Sequence, residues 1–169
     1  IVGALGIVML IAGLLLGKAL FDEEQTIQEA SKAHLNLPGA ISPLEATITP
    51  DDRALFFAVR DSENGQRHLG KYDFKTGVQS ILPKTQNASL PNSSPDGRWI
   101  AFQRTDTRQW WRISASGGDP IEIPGALSAG RTPSGYAPNG EFIFPDSSWS
   151  IVAVDRTGFA RVLVQPGSN

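Results

Sequence analysis

A proline-led turn that feeds a strand recurs three times along this chain, at Pro50, Pro95 and Pro138, spaced 45 and 43 residues apart. The clearest copy is Ser94-Pro95-Asp96-Gly97-Arg98-Trp99-Ile100-Ala101-Phe102. Proline fixes φ at the second turn position, aspartate bonds its own backbone, and glycine accepts positive φ. The aromatic and β-branched residues that follow suit a strand. Upstream the unit reads Pro50-Asp51-Asp52-Arg53-Ala54-Leu55-Phe56-Phe57, and downstream Pro138-Asn139-Gly140-Glu141-Phe142-Ile143-Phe144. The period is that of one four-stranded propeller blade. Each copy continues as strand, glycine-containing turn and strand: Leu69 to Phe74 then Val78 to Leu82, Trp110 to Ser114 then Ile121 to Ile123, and Ser150 to Val154 then Ala160 to Val164. Each unit is therefore expected to hold at least three antiparallel strands.

The second copy, with Trp111-Arg112-Ile113 and Ser116-Gly117-Gly118-Asp119-Pro120 after it, resembles the TolB-type β-propeller repeat. The first copy departs by Asp52 in place of glycine and by a longer segment, Asp61 to Arg67. The third has Asn139 in place of aspartate and lacks the double glycine. The resemblance covers about residues 46 to 165 and implies a fold, an interaction surface, a bacterial source and no catalytic residues. The expected fold class is all-β: three TolB-like antiparallel propeller-type repeats, at about 46–83, 90–124 and 134–165, within a β domain 46–169. Propellers usually need about four to eight blades. Three repeats thus predict an incomplete propeller or open β-stack whose edges a partner covers.

Residues 1–21 read as a transmembrane helix and 22–45 as a polar stalk. Ile1 to Gly17 carries no charge and spans roughly 26 Å as a helix; Lys18 can snorkel and the run to Phe21 completes a bilayer crossing. Its retention favours an uncleaved anchor over a signal peptide. The chain starts inside the apolar run, so further residues upstream are expected. Gly3, Gly6, Gly13 and Gly17 fall within about 80° of one another on that helix, a surface for packing on other membrane helices. Asp22, Glu23 and Glu24 follow the helix with only Lys18 nearby, and this flank favours a β domain outside the cytoplasm. The expected location is the bacterial inner membrane, single-pass, with the β domain periplasmic.

No constellation for catalysis is present. The chain has no cysteine, so disulfides and thiolate chemistry are excluded. His34 and His68 have no zinc spacing and are read as solvated, in the stalk and a loop. There is no nucleophile elbow, phosphate-binding loop or calcium loop. No cofactor and no metal are expected. A net charge of −2 argues against nucleic acid. One segment suggests docking: Arg98, Trp99, Arg104, Arg108, Trp110, Trp111 and Arg112 interleave the residue types richest in interface hot spots. Strand alternation, with tryptophans packed and arginines solvated, would give the same pattern. The expected function is a non-enzymatic membrane accessory subunit. It would dock on other membrane-protein subunits of a larger complex, respiratory or photosynthetic, and contact the lipid bilayer. The alternative is the extracytoplasmic sensory half of a membrane-anchored regulator, with a propeller-peptidase fragment as a third reading.

Overall fold

A computed structural model describes residues 37–40, 45–130 and 134–167. The chain divides into two units, Ile1–Asn36 and Leu37–Asn169, and all described residues lie in the second. The expected membrane helix, with Gly3, Gly6, Gly13 and Gly17, and His34 of the stalk lie outside the described residues. Among the described residues no helix is long and apolar enough to cross a membrane.

Three four-stranded antiparallel sheets follow one another along the chain, each in simple meander order. The first blade holds β1 (Ala46–Ile48), β2 (Ala54–Arg60), β3 (Arg67–Asp73) and β4 (Gln79–Ile81). The second holds β5 (Ala88–Ser93), β6 (Trp99–Arg104), β7 (Gln109–Ser114) and β8 (Ile121–Leu127). The third holds β9 (Gly135–Tyr136), β10 (Phe142–Pro145), β11 (Ile151–Val154) and β12 (Ala160–Val164). The repeating turn joins the first and second strand of every blade. The strands before those turns, β1, β5 and β9, are additions to the sequence reading. They are short or irregular: β5 contains Pro91, a register shift and Leu90 at φ 52°, and β9 has two residues. Such stretches give no two-residue periodicity to read. They nevertheless run next to one another, with Ser93 N donating to Thr47 Oγ1 at 3.2 Å between β5 and β1.

The second blade is buried on both faces. Ile100, Phe102 and Ile113 pack with Ala54, Phe56, Leu69, Leu82 and Ala88 in one core. Ala101 and Trp110, on its opposite face, pack with Ile123, Ala126, Phe142, Phe144, Val152 and Val154 in a second. This explains the nearly unbroken apolar run of β6: a strand covered on both sides does not alternate with polar residues.

The three turns share one side-chain-to-backbone bond. Asp51, Asp96 and Asn139 each accept from the backbone N–H two residues on, at 3.2, 3.2 and 3.1 Å. Asp52 takes the left-handed position, at φ 54°, that Gly97 and Gly140 fill at 67° and 85°. The third turn is one residue tighter. Ser94 N donates to Trp99 O and Thr49 N to Ala54 O, five residues on, whereas Ala137 N donates to Glu141 O, four on. Strand side chains alternate faces, so this shift puts Phe142 and Phe144 where Ile100 and Phe102 stand in the second blade.

Candidate functional site

In a meander blade the turns between first and second strands and between third and fourth strands gather at one end. The proline turns and the glycine turns therefore share an end, and the seams between blades open there. Between the first and second blades lies a cleft of about 600 Å³, bordered by Asp51, Arg53, Lys71, Asp73, Arg98 and Trp99. Lys71 is committed within it: its Nζ donates to Ala115 O at 2.9 Å and sits 5.6 Å from the Phe56 ring centre.

The cleft between the second and third blades is smaller, about 240 Å³, and holds the more concentrated chemistry. Trp99 borders both clefts. The Arg112 guanidinium lies 4.8 Å from the Trp99 ring centre, a cation–π contact. Cross-strand pairing explains this placement, because Trp99 pairs with Ser114 and Arg112 with Ala101, which sets both side chains on the face toward the third blade. Arg156, from the turn before β12, reaches across with its Nη2 3.8 Å from Asp96 Oδ2. Gly140 permits that reach, since a Cβ there would stand 3.2 Å from Arg156 Nη2. Asp96 is held mainly by its own turn: Ser94 Oγ donates to its Oδ1 at 2.6 Å and Arg98 N at 3.2 Å. The Ser94 hydroxyl first, then the Arg98 amide and the nearby arginines, lower the Asp96 pKa below its ordinary 3.8.

Tyr136 closes the inner wall. Its ring meets Phe142 edge-on at 5.2 Å. Burial pushes its phenol up to about 12, with Asp96 adding to the effect and Arg112 opposing it. The hydroxyl is therefore a neutral donor at any physiological pH. Tyr136 Oη and Arg112 Nε are both buried and have no hydrogen-bond partner.

The structure does not bring the seven proposed docking residues onto one surface. Arg98 is exposed at the proline-turn end. Trp99 and Arg112 face the third blade, while Arg104 stacks on Trp111, 4.0 Å from its ring centre, on the side of the first. Trp110 is fully buried and packs on Phe142 at 4.8 Å, so it belongs to the core rather than to a docking surface. Arg108 sits at the opposite end in the β6–β7 loop, at φ 61°. Strand alternation separates residues that are neighbours in sequence. His68 corrects another expectation: it lies in β3, buried, and neither ring nitrogen has a hydrogen-bond partner. Sequence reasoning missed Tyr136 and Arg156. Tyr136 is on a strand too short to recognise, and Arg156 enters the cleft only because the third blade packs on the second. Among the described residues no three His, Cys, Asp or Glu side chains could jointly hold a metal ion.

No protein-family model matches the chain, and no curated protein matches its sequence. Solved structures match its fold. TolB from Acinetobacter baumannii is similar at 15% identity and TM-score 0.57, over 79% of this chain and 35% of that one. A calcium-binding regucalcin from Agrobacterium tumefaciens is similar at 21% identity and TM-score 0.52, over 78% and 48%. A gluconolactonase from Xanthomonas campestris is similar at 13% identity and TM-score 0.61, over 81% and 53%. The chain thus spans about a third to a half of the length of these structures. The fold is shared by enzymes and by non-enzymes such as TolB, so activity has to be argued from the site. What these likenesses establish is a β-propeller-type, TolB-like arrangement of three antiparallel blades.

Proposed function

We propose that this protein is a non-enzymatic accessory subunit, anchored in a membrane by its N-terminal apolar segment, whose β domain docks on a larger membrane complex. One observation carries the reading. The first and second blades each bury one sheet face against the blade that follows. The corresponding face of the third blade, bearing Ile143, Pro145, Ile151 and Val164, has no following strand over it among the described residues. Val164 is exposed, Ile143 and Ile151 are half-buried, and an apolar groove of about 360 Å³ runs beside them. A face shaped to be one side of a blade–blade contact suits a further polypeptide surface that supplies the other side, here assigned to a partner subunit.

The reading is tested by extracting the protein from its native membrane in mild detergent and sizing the product. Co-migration with other membrane subunits is expected, and Ile151→Lys should release the protein while its melting temperature stays close to that of the parent. A free monomer in the parent extract would end the proposal. Replacing Gly13 and Gly17 together by Leu should weaken retention as well, and unchanged retention would remove the helix-packing argument.

A further inference from the structure

The cleft between the second and third blades carries an inference independent of that docking face. We propose that it binds a small organic carboxylate, with the carboxylate held by Arg112 and Arg156 and the body resting against Trp99 and Tyr136. Three observations converge. Two guanidinium groups from different blades border one cavity, and the single carboxylate among them, Asp96, is 3.8 Å from Arg156, beyond the 2.7–2.9 Å of a charge-assisted hydrogen bond. Asp96 is already engaged by Ser94 and its own turn, which leaves the pair of arginines in excess of negative charge.

The second observation is the pair of buried donors without acceptors, Arg112 Nε and Tyr136 Oη, both on residues that border the cavity. Buried donors are nearly always paired in folded proteins, by protein, water or ligand. With its phenol pushed up to about 12, Tyr136 offers a proton rather than a negative charge to an incoming anion at physiological pH. The third is size and lining. A volume of 240 Å³ corresponds to about eight waters, too small for a polymer and large enough for one ring with a carboxylate. Trp99 and Tyr136 provide flat aromatic surface, which favours a planar body over a bare inorganic ion.

The experiment uses the full chain in detergent micelles and follows the Trp99 indole and Gly140 amide signals by NMR. Benzoate, its neutral isostere benzamide, and inorganic phosphate are titrated separately. Saturable shifts at both positions are expected with benzoate, with benzamide and phosphate at least tenfold weaker. Arg112→Gln and Arg156→Gln should each weaken benzoate about tenfold or more, since each removes a hydrogen bond between charged partners. Tyr136→Phe tests the donor without touching charge and should weaken benzoate by a smaller factor. Benzoate and benzamide binding equally, or no saturation with benzoate, would overturn the proposal. Phosphate binding more tightly than benzoate would overturn it too, because the aromatic walls would then contribute nothing.

Discussion

The hydroxyl–carboxylate pairs inside the turns give single residues a measurable pH signature. The pKa of Asp51 is lowered from 3.8 chiefly by the Thr49 side chain, that of Asp96 by Ser94, and that of Asp155 by Thr157. A depressed native pKa contributes stability that is fully present above the unfolded value and is lost as pH falls through the native one. The melting temperature should therefore start to fall as pH drops below about 4, near the unfolded carboxylate pKa. Ser94→Ala and Thr157→Ala should make that acid limb shallower in a calorimetric pH series. Tyr136 gives the opposite limb. Its raised pKa means that stability is fully present below pH 10.0 and declines as pH rises toward about 12. Tyr136→Phe should remove that alkaline decline in the same series. At Gly97, with φ 67°, alanine would enter the left-handed region and should cost about 1 kcal/mol in a denaturant titration.

At the scale of strands, register decides which side chains reach the core. Phe142 and Phe144 face the second blade only because the third proline turn is one residue tighter than the other two. Inserting one alanine between Gly140 and Glu141 should turn both rings outward and unfold the third blade, visible as lost near-ultraviolet circular dichroism. Trp110 tests the same core from the other side, and Trp110→Ala should cost about 3–5 kcal/mol. In the first blade, Gly70 lies beneath the Phe57 ring, where an added Cβ would come within 2.7 Å of it. Gly70→Ala should therefore cost about 1–3 kcal/mol by overpacking. The second, third and fourth strands of each blade were legible in sequence, because aromatic and β-branched runs sit between turn residues. The first strands were not, because Ala-Thr-Ile, a proline-containing segment and Gly-Tyr carry no pattern that distinguishes a strand from a loop.

For the whole molecule, three blades stacked in series give an uneven distribution of protection. The middle blade has a core on each face, whereas every residue of β12 is exposed. Hydrogen exchange should accordingly be slowest in β6 and β7 and fastest in β12, and a docked partner should slow β12 preferentially. Uniform exchange across the blades would contradict that account.

The repeat spacing, the turn chemistry and the hairpins were open to reading from the residues alone, because a turn type and a strand propensity depend on a few adjacent side chains. Even Asp52 and Asn139, which break the motif, keep its geometry by local means: one tolerates the left-handed conformation, and the other makes the same side-chain bond to the backbone. Which face each arginine and tryptophan occupies was settled only once the sheets were stacked. Trp110 and Trp111 are consecutive, yet one is core to the third blade and the other lies against the first. The cleft itself joins Asp96, Arg112, Tyr136 and Arg156, residues up to 60 positions apart. A site assembled across a seam between two sheets has no signature along the chain, since its members share only the packing that brings them together.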